Sequence, residues 1–375
     1  MSQPYRSWVE VSLGQITENF RAVRSAVGDR VEVTAVVKAE AYGHGAVEVS
    51  KALEKEGARW LAVSNVNEGV TLRRAGIGAR IIVMGDFLPF ERKALLEYDL
   101  TPVIHSLPDL AAFDQFAAGV GAPLCYHLKL DTGMGRLGIR AEPQKVFEAV
   151  HAARHVQLEG LMTHFASSAD YTSQQTADQI SAFKKVYACL KEHDAKPIWV
   201  HLSSTNPIAY GRREAWANMV RTGHAIYGYV SPAKGDAPPR ILNVKPALSW
   251  KATVLAVKDV PEGTLIGYGG MFRAPKPMRI AVLALGYADG FPHRMSNRGK
   301  VIAGGKLAPV IGAVSMDLTT IDITQSKSVK PGDAVTLIGT VGDVSLDAQQ
   351  IARLAGTISY SVLCGINVRV KRVYV

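Results

Sequence analysis

The chain has 375 residues, of which 47% are hydrophobic and 20% are charged, the balance of a globular protein with one large or two smaller domains. The N-terminal segment lacks the apolar core of a signal peptide, and no apolar run is long enough to cross a bilayer, so we expect a cytoplasmic protein without membrane attachment. The net charge is +10, but the basic residues are scattered and no nucleic-acid-binding motif is present. We therefore expect a solvated basic surface and no nucleic-acid partner.

The cysteine pattern argues against structural disulfide bonds and against a cysteine-ligated metal site. Cys125, Cys189 and Cys364 are odd in number and far apart in the sequence. This pattern suits a reducing compartment, and it fits neither a disulfide framework nor a zinc site. We expect no metal site.

The first predicted element is a helix in the segment SLGQITENFRAV. Ser12 is suited to cap its N-terminus, and apolar residues recur at helical spacing on one face, at Leu13, Ile16, Phe20 and Val23. Two later segments, EPQKVFEAVHAAR and TADQISAFKKVYACLKEHD, show the same periodicity and are also predicted to be helices.

Short apolar segments with the character of strands alternate with these helical patterns over the first two-thirds of the chain. The eight segments begin at residues 31, 60, 80, 101, 125, 158, 198 and 219. Eight strands that alternate with helices predict a closed (β/α)8 barrel of the TIM type. An open doubly wound sheet is the alternative, but no G-x-G-x-x-G sequence follows the first strand to support it.

The pattern changes near residue 236, where KGDAPPR has the composition of a linker. After it come short strand-like runs interrupted by glycine and proline, with one late helix in SLDAQQIARLAG. The sequence therefore predicts a barrel domain over residues 1–238 and a mostly β domain over residues 239–375.

Polar residues recur where the predicted barrel strands end. Because side chains two apart on a strand share a face, Lys38, Lys129, His164 and Arg221 are expected to converge at one mouth of the barrel. Barrel enzymes place their sites at the carboxyl ends of the strands, and a phosphate often lies near the last two loops. Those loops, SSTNP and TGHAIYG, offer small residues whose N–H and hydroxyl groups can bind an anion.

Lys38 is the candidate for covalent chemistry at this mouth. A free lysine has a pKa of about 10.4, but a partly dry site with other cations favours the neutral amine. A neutral amine forms a Schiff base with an aldehyde, and an aldehyde beside a phosphate pocket indicates pyridoxal 5'-phosphate. Two alternatives remain open for single residues: Lys129 as an ion-pair partner of Asp131, and His164 as a hydrogen-bonded core histidine.

Several segments closely resemble the signature segments of bacterial alanine racemases. They occur in the same order over essentially the whole chain and read AVVKAEAYGHGA, LKLDTGMGRLG, MTHFA, MVRTGHAIYG, GYGGMFRA, GYADGFPH and SMD, with ISYSVLCGINVRVKRVYV at the end. The resemblance implies a (β/α)8 barrel followed by a β domain. It also implies a head-to-tail homodimer with pyridoxal phosphate on Lys38.

The resemblance also implies roles for single residues. Lys38 and Tyr268 correspond to the two catalytic bases, with Tyr268 supplied by the other subunit. Arg221 corresponds to the partner of the pyridine nitrogen, and His164 to the residue that bridges Arg221 towards Tyr268. The positions that correspond to phosphate contacts are Tyr42, Ser204, Thr205, Gly223, His224 and Tyr360.

Three further positions concern the substrate. Arg136 and Met316 resemble contacts of the substrate carboxylate, and Lys129 matches a lysine that is often carbamylated in the family. A carbamate at Lys129 would give Arg136 an anionic partner.

The chain departs from the usual pattern at three places. In HLSSTNP, Ser204 and Thr205 replace the commoner Asn-Ser pair, so either hydroxyl is a candidate phosphate ligand. His224 replaces a usual isoleucine, and GYGGMF replaces the commoner YGATY beside the substrate entrance.

The sequence therefore predicts an alanine racemase that supplies D-alanine for peptidoglycan by two-base proton transfer. A racemase of broader amino-acid specificity is the nearest alternative, and a decarboxylase on the same barrel is disfavoured by the tyrosine of GYGG. A non-catalytic pyridoxal-phosphate-binding protein is the alternative of a different class. The second domain argues against it, because such proteins resemble the barrel alone.

Overall fold

The computed structural model describes residues 5–121 and 124–375, which form two compact units. One unit contains residues 16–41 and 46–245 and is the barrel. The other contains residues 5–15, 42–45 and 246–375 and is rich in β-structure. Among the residues described, no helix is both long enough and apolar enough to span a membrane.

The strands are numbered along the chain, and β1 (Ser7–Val11) belongs to the β-rich unit. The barrel unit holds eight strands that are hydrogen-bonded in the order β8-β7-β6-β5-β4-β3-β2-β9, with every neighbouring pair parallel. They are β2 (Glu32–Val36), β3 (Trp60–Val63), β4 (Arg80–Val83), β5 (Leu100–Ile104), β6 (Leu124–Lys129), β7 (Val156–Met162), β8 (Trp199–His201) and β9 (Met219–Thr222). The N–H of Arg221 donates to the carbonyl of Ser203 (3.0 Å) and links the last two strands. The predicted (β/α)8 barrel is confirmed.

Helices follow the strands of the barrel as the periodicity predicts. Ser12 Oγ accepts a hydrogen bond from the N–H of Gln15 (3.2 Å), which caps the first helix; Ile16, Phe20 and Val23 are buried on its inner face. The helices are Leu13–Val27, Ala46–Lys55, Val66–Arg74, Arg92–Glu97, Leu107–Val120, Pro143–Ala152, Gln175–Glu192 and Thr205–Ala209, with 3-10 turns at Pro89–Glu91 and Arg213–Ala215.

The β-rich unit is built on a nine-stranded sheet whose main path is β15-β14-β17-β10-β1-β19. Strand β13 pairs with β10 and β16, and β18 pairs with β17. The bounds are β10 (Leu248–Val260), β13 (Met278–Leu283), β14 (Lys300–Ala303), β15 (Lys306–Pro309), β16 (Thr319–Asp322), β17 (Ala334–Val341), β18 (Val344–Leu346) and β19 (Lys371–Tyr374), with a small ribbon of β11 (Leu265–Ile266) and β12 (Phe272–Arg273). The predicted mostly β character of this part is confirmed.

The remaining elements of the β-rich unit are short. They are the helices Ala348–Ala355 and Ser359–Cys364 and the 3-10 turns Tyr268–Gly270, Tyr287–Asp289 and His293–Met295. The helix Ala348–Ala355 lies in the segment where the sequence predicts the one late helix.

The N-terminal strand is the feature that the sequence pattern did not indicate. Strand β1 pairs antiparallel with β10 and parallel with β19, so it is a member of the C-terminal sheet. The compact β-rich unit resumes at Pro246. The domain boundary at residues 238/239 stays a prediction.

Candidate active site

The four residues that were expected to converge lie at the carboxyl ends of four different barrel strands. Lys38 comes two residues after β2, Lys129 is the last residue of β6, His164 comes two residues after β7, and Arg221 lies in β9. In a parallel barrel the carboxyl ends of all strands meet at one rim. These side chains therefore occupy the rim where barrel enzymes build their sites.

Lys38 is followed by an unusual backbone turn. Ala39, Glu40, Ala41 and Tyr42 all have left-handed φ angles, between 51° and 55°. A left-handed conformation costs a residue other than glycine about 1–2 kcal/mol, so a run of four needs support from its surroundings. The turn sets the direction in which the chain leaves β2 directly after the lysine.

Glu68 supports the start of this turn. Its Oε1 accepts a hydrogen bond from the N–H of Ala39 (2.7 Å), and its Oε2 accepts one from the N–H of Ser64 (2.6 Å). Glu68 itself is fixed in the first turn of its helix, where its N–H donates to the N-cap Asn65 (3.0 Å). One carboxylate thus ties together the backbone after β2 and after β3, beside Lys38.

Arg221 is a buried arginine with a crowded hydrogen-bond environment. Its Nη1 donates to His201 Nδ1 (2.9 Å) and to the His201 carbonyl (2.7 Å), and its Nη2 donates to the carbonyls of Thr163 (2.7 Å) and Leu202 (3.2 Å). Within residues 5–121 and 124–375, Nε–H has no hydrogen-bond acceptor. Burial lowers the pKa of Arg221 to about 9, so the group is charged at neutral pH and offers one N–H to a ligand.

His164 lies beside this arginine and is neutral. Its Nδ1 is 3.5 Å from Arg221 Nη2. Burial, and then the charges of Arg221 and Lys129, lower the pKa of His164 to about 3. Gln179, from the helix Gln175–Glu192, donates to the carbonyl of His164 (3.1 Å) and fixes its backbone. A bridging role would need this contact with Arg221, and the role itself stays a prediction.

Lys129 is a buried lysine among cations. It is 5% exposed, and burial, followed by the charges of Arg136, Arg221 and Lys38, lowers its pKa to about 8. Among the described residues it makes no ion pair within 4.0 Å. The neutral amine of Lys129 is therefore more populated near neutral pH than the neutral amine of an exposed lysine.

Asp131 is occupied by its own loop and not by Lys129. Its Oδ1 accepts hydrogen bonds from the N–H groups of Gly133 (3.1 Å), Met134 (2.9 Å) and Gly135 (3.0 Å), and its Oδ2 is 3.1 Å from Arg140 Nη2. This carboxylate shapes the glycine loop that carries the exposed Arg136. An ion pair between Lys129 and Asp131, one of the alternatives left open by the sequence, is absent from the structure of this loop.

The loops after β8 and β9 contact each other. Thr205 Oγ1 accepts a hydrogen bond from the N–H of Ala225 (3.2 Å), which leaves the hydroxyl proton of Thr205 to donate elsewhere. Ser204 is half-buried, whereas Ser203 is buried and donates to the carbonyl of Ala215 (2.8 Å). Of the hydroxyls in SST, those of Ser204 and Thr205 are therefore the ones that can donate to a phosphate.

The neighbouring turn contains Gly223 and His224. The Gly223 carbonyl accepts from the N–H of Ile226 (2.9 Å), so the chain turns directly after β9. The imidazole of His224 is buried and stacks on the ring of Tyr229, with centroids 5.2 Å apart.

Tyr42 and Tyr360 meet within the β-rich unit. Their ring centroids are 5.9 Å apart, and burial raises the pKa of Tyr42, so its hydroxyl keeps its proton. The glycines that follow Tyr42 allow close packing: a Cβ at Gly43 would lie 2.2 Å from the carbonyl oxygen of Leu363. The sequence predicted both tyrosines as phosphate contacts, and the structure brings them together.

Tyr268 and Met316 are displayed on the surface of the β-rich unit. Tyr268 is 77% exposed and Met316 is 54% exposed. Met316 is fixed through its backbone, since its carbonyl accepts a hydrogen bond from the N–H of Ala288 (3.0 Å). A Cβ at Gly286 would lie 2.1 Å from the carbonyl oxygen of Ser315, so this glycine is needed for the two segments to pack.

The sequence reasoning missed three residues around this site. Glu68 holds the backbone after Lys38, His201 contacts Arg221, and Glu159 lies deeper in the barrel. A signal existed for His201, which is a histidine inside the otherwise apolar strand segment IWVHLSS. The hydrogen bonds of Glu68 join the backbone beyond two strands and leave no local pattern.

A (β/α)8 barrel that gathers two lysines, a neutral histidine and a charged arginine at the carboxyl rim defines a barrel enzyme. Comparison with known protein families supports this class and identifies the family. Residues 11–232 match the family described as alanine racemase, N-terminal domain, and residues 247–374 match alanine racemase, C-terminal domain. The chain belongs to the alanine racemase family, which consists of isomerases.

Individual relatives cover the whole chain. Alanine racemase from Halothermothrix orenii is 38% identical over 369 residues, which is 98% of this chain and 96% of the relative. The crystal structure of alanine racemase from D-cycloserine-producing Streptomyces lavendulae has a TM-score of 0.93 at 31% identity, covering 100% of this chain and 98% of that one. The structure from Bartonella henselae, solved with covalently bound pyridoxal phosphate, has a TM-score of 0.87 at 27% identity, covering 99% and 100%.

Proposed function

We propose that this chain interconverts L- and D-alanine with pyridoxal 5'-phosphate, using Lys38 and Tyr268 as the two bases. The observation that carries the proposal is Arg221, a buried and charged arginine at the barrel rim whose Nε–H has no acceptor among the described residues. Such a donor fits an unprotonated pyridine nitrogen. When it is bound, pyridoxal phosphate supplies an electron sink that acidifies the α-hydrogen of an attached amino acid.

The residues at the rim fit the other groups of the cofactor. Lys38 Nζ is the amine that would join the aldehyde carbon, and Glu68 fixes the backbone directly after this lysine. Because Thr205 Oγ1 accepts a hydrogen bond from the N–H of Ala225, its hydroxyl proton can be donated to a phosphate oxygen. Ser204, Tyr42, Tyr360 and the backbone of Gly223 and His224 are the further phosphate donors that we propose.

Arg221 controls the strength of the electron sink. Because it remains protonated, it donates its Nε–H to the pyridine nitrogen and does not transfer the proton to it. A ring nitrogen without a proton withdraws electrons less strongly than a pyridinium. Arg221 thereby favours return of the proton to carbon over side reactions of the activated substrate.

Proton transfer needs a base on each face of the substrate. Lys38 serves one face, and Tyr268 of the partner subunit serves the other, so that each site is completed across a homodimer. A tyrosine has a pKa of about 10 and needs cations nearby to act as a base; Arg221 is the cation that we propose, with neutral His164 between them. The exposed apolar side chains next to the Tyr268 turn suit such an interface, and they include Leu265 (57% exposed) and Met271 (54%).

Lys129 and Arg136 orient the substrate. The free amine of Lys129 is the form that reacts with carbon dioxide, and its lowered pKa favours that form. We propose that the resulting carbamate pairs with Arg136, which binds the substrate carboxylate together with Met316. The carbamate also removes one positive charge from a rim that already holds Arg221 and Lys38.

D-Alanine for peptidoglycan is the proposed product, made in the cytoplasm. A broader racemase is the second candidate, and the turn after Tyr268 favours it: Gly269 and Gly270 leave that side of the segment without side chains, and both have left-handed φ angles, of 67° and 57°. Smaller residues there leave more room for a substrate longer than alanine.

Racemisation measured with a panel of L-amino acids tests the proposal. We expect the chain, saturated with pyridoxal phosphate, to racemise alanine faster than any other member of the panel. Comparable rates with serine, leucine or arginine would favour the broad racemase. Visible absorbance of the bound cofactor without loss of optical activity from any amino acid would overturn catalysis and indicate a cofactor-binding protein.

A further inference from the structure

A line of polar side chains connects Arg221 to the interior of the barrel. Arg221 Nη1 is 2.9 Å from His201 Nδ1, and His201 Nε2 is 2.8 Å from His127 Nδ1. His127 Nε2 lies 3.5 Å from Glu159 Oε2, an electrostatic contact that is longer than a hydrogen bond, and Glu159 accepts from Arg80 Nη2 (2.8 Å). The first four of these residues are called the Arg221 relay below. All four are at most 5% exposed.

Donor and acceptor chemistry fixes the direction of the relay. A guanidinium can only donate, so Nδ1 of His201 is an acceptor and its proton is on Nε2. That proton points to Nδ1 of His127, which leaves the proton of His127 on Nε2, facing the Glu159 carboxylate. Burial lowers the pKa of both imidazoles, so each is neutral and carries one ring proton. The hydrogen bonds then allow one tautomer for each histidine.

The backbone is adapted to hold the relay. The pairing of β6 with β7 shifts by one residue after Tyr126, which pairs with Leu158, while His127 pairs with Gly160. Glu159 is the unpaired residue of this β-bulge, and bulges redirect side chains. A Cβ at Gly160 would lie 2.4 Å from His127 Nδ1, so the His127 ring occupies space that only glycine leaves free.

The relay also gives Arg221 a carboxylate at a distance. The hydrogen-bond acceptors of Arg221 among the described residues are carbonyls and imidazole nitrogens, and no carboxylate is one of them. A buried cation without an anionic partner is costly. The carboxylate of Glu159 faces Arg221 through two polarisable imidazoles, and Arg80, which lies over the Trp60 ring at 4.1 Å, holds Glu159 from the outer side.

We propose that Glu159, His127 and His201 are positioning residues that hold Arg221 in one orientation and present its Nε–H to the ring nitrogen of the cofactor. They act through Arg221 and do not touch the ligand. The functional consequence rests on the proposed use of pyridoxal phosphate, whereas the relay itself is a property of the folded chain. Weakening its far end is therefore expected to change how the cofactor is bound.

The test compares Glu159→Gln with Glu10→Gln in the full-length holoenzyme. Each variant replaces an ion-paired carboxylate by an amide; Glu159 is buried, and the control Glu10 is half-buried and pairs with Lys251 in the β-rich unit. We expect Glu159→Gln to raise the dissociation constant of pyridoxal phosphate by about tenfold, because the charge that faces Arg221 through the two imidazoles is lost, and to shift the visible absorbance maximum. Glu10→Gln should lower the melting temperature and change neither property. Unchanged affinity and absorbance in Glu159→Gln would overturn the proposal.

Histidine NMR separates this proposal from the proposed function. With 15N-labelled histidine, His127 and His201 should each appear neutral and protonated on Nε2, and Glu159→Gln should alter the His127 signal first. A proton on Nδ1 of His201 would overturn the relay whether or not the enzyme racemises alanine. Gly160→Ala displaces the His127 ring and removes no polar group, so it should reproduce the effect of Glu159→Gln on the cofactor.

Discussion

The side chains at the barrel rim and the side chain of Tyr268 differ in burial and in hydrogen bonding. At the rim, Arg221 makes hydrogen bonds to three carbonyls and two imidazole nitrogens, one of them from the buried and neutral His164. Tyr268, in contrast, starts a short 3-10 turn and is 77% exposed. The chain thus holds one group rigidly from within and displays the other.

This difference fits the proposal that one chain supplies the cofactor site and its partner supplies the second base. Residues that bind a cofactor must be correctly oriented before it binds, because a misplaced hydrogen-bond donor stabilises the bound group less. A base that acts only after a second protein surface covers it can be exposed in the single chain. That second surface must then bury the base and place charged groups beside it. The predictions below test this contrast, beginning with the largest expected effect.

Replacement of the proposed covalent anchor should have the largest effect. Lys38→Ala removes the amine that we propose to join the cofactor, so we expect no racemisation and no visible absorbance, with an unchanged far-ultraviolet circular dichroism spectrum. Borohydride reduction of the unmodified enzyme followed by peptide mapping should place the pyridoxyl group on Lys38. A pyridoxyl group on Lys129 would refute the assignment, because Lys129 is the other lysine among the four rim residues.

The contrast predicts that two inactive chains can restore each other. Lys38→Ala and Tyr268→Phe should each be nearly inactive alone, because each lacks one base in every site. Mixed and refolded together, they should form heterodimers in which one site carries both substitutions and the other carries neither. Activity should increase with the measured heterodimer fraction. If confirmed heterodimers bind cofactor and remain inactive, either both residues serve one site from the same chain or Tyr268 is not the second base.

The charge of Lys129 gives an effect of intermediate size. Lys129→Ala removes the proposed carbamate and leaves Arg136 without its partner, so we expect kcat/KM to fall by about a hundredfold, as for a misplaced substrate-binding group. Chloride or a small carboxylate should restore part of the activity, because either can occupy the space beside Arg136. A carbamate absent from mass spectra and electron density, with an anion bound beside a bare amine, would contradict the modification and retain the electrostatic argument.

The sequence predicts the fold well because the decisive signals are local. All eight barrel strands occur in segments whose apolar character and spacing identified them, and Ser12 caps the first helix as expected. Strand β1 escaped prediction because its membership in the C-terminal sheet depends on pairing with residues more than 200 positions away. Local composition contains no information about that pairing.

The site was predictable where a residue type is unusual for its place. A lysine or an arginine inside an apolar strand is conspicuous, and Lys38, Lys129 and Arg221 were found in this way. The occupation of Asp131 by its own loop has a local signal in DTGMG, since an aspartate before glycines often bonds the following N–H groups. Glu159 was missed because a bulge is defined by the register with a partner strand, which one segment cannot reveal.

The smallest expected effect concerns the support of Lys38 by Glu68. Glu68→Gln keeps the size of the side chain but replaces one acceptor by an N–H₂ group, which cannot accept from both Ala39 and Ser64. The left-handed turn after Lys38 then loses one of its hydrogen bonds, and we expect kcat to fall by about tenfold while KM changes little.

The matched control is Glu48→Gln, which removes an exposed ion pair with Lys51 and should leave kcat unchanged. Glu68→Asp, which retains two acceptors on a shorter side chain, should recover part of the loss. A fall in melting temperature with normal kcat in Glu68→Gln would assign Glu68 to stability alone and would show that the left-handed turn holds Lys38 without it.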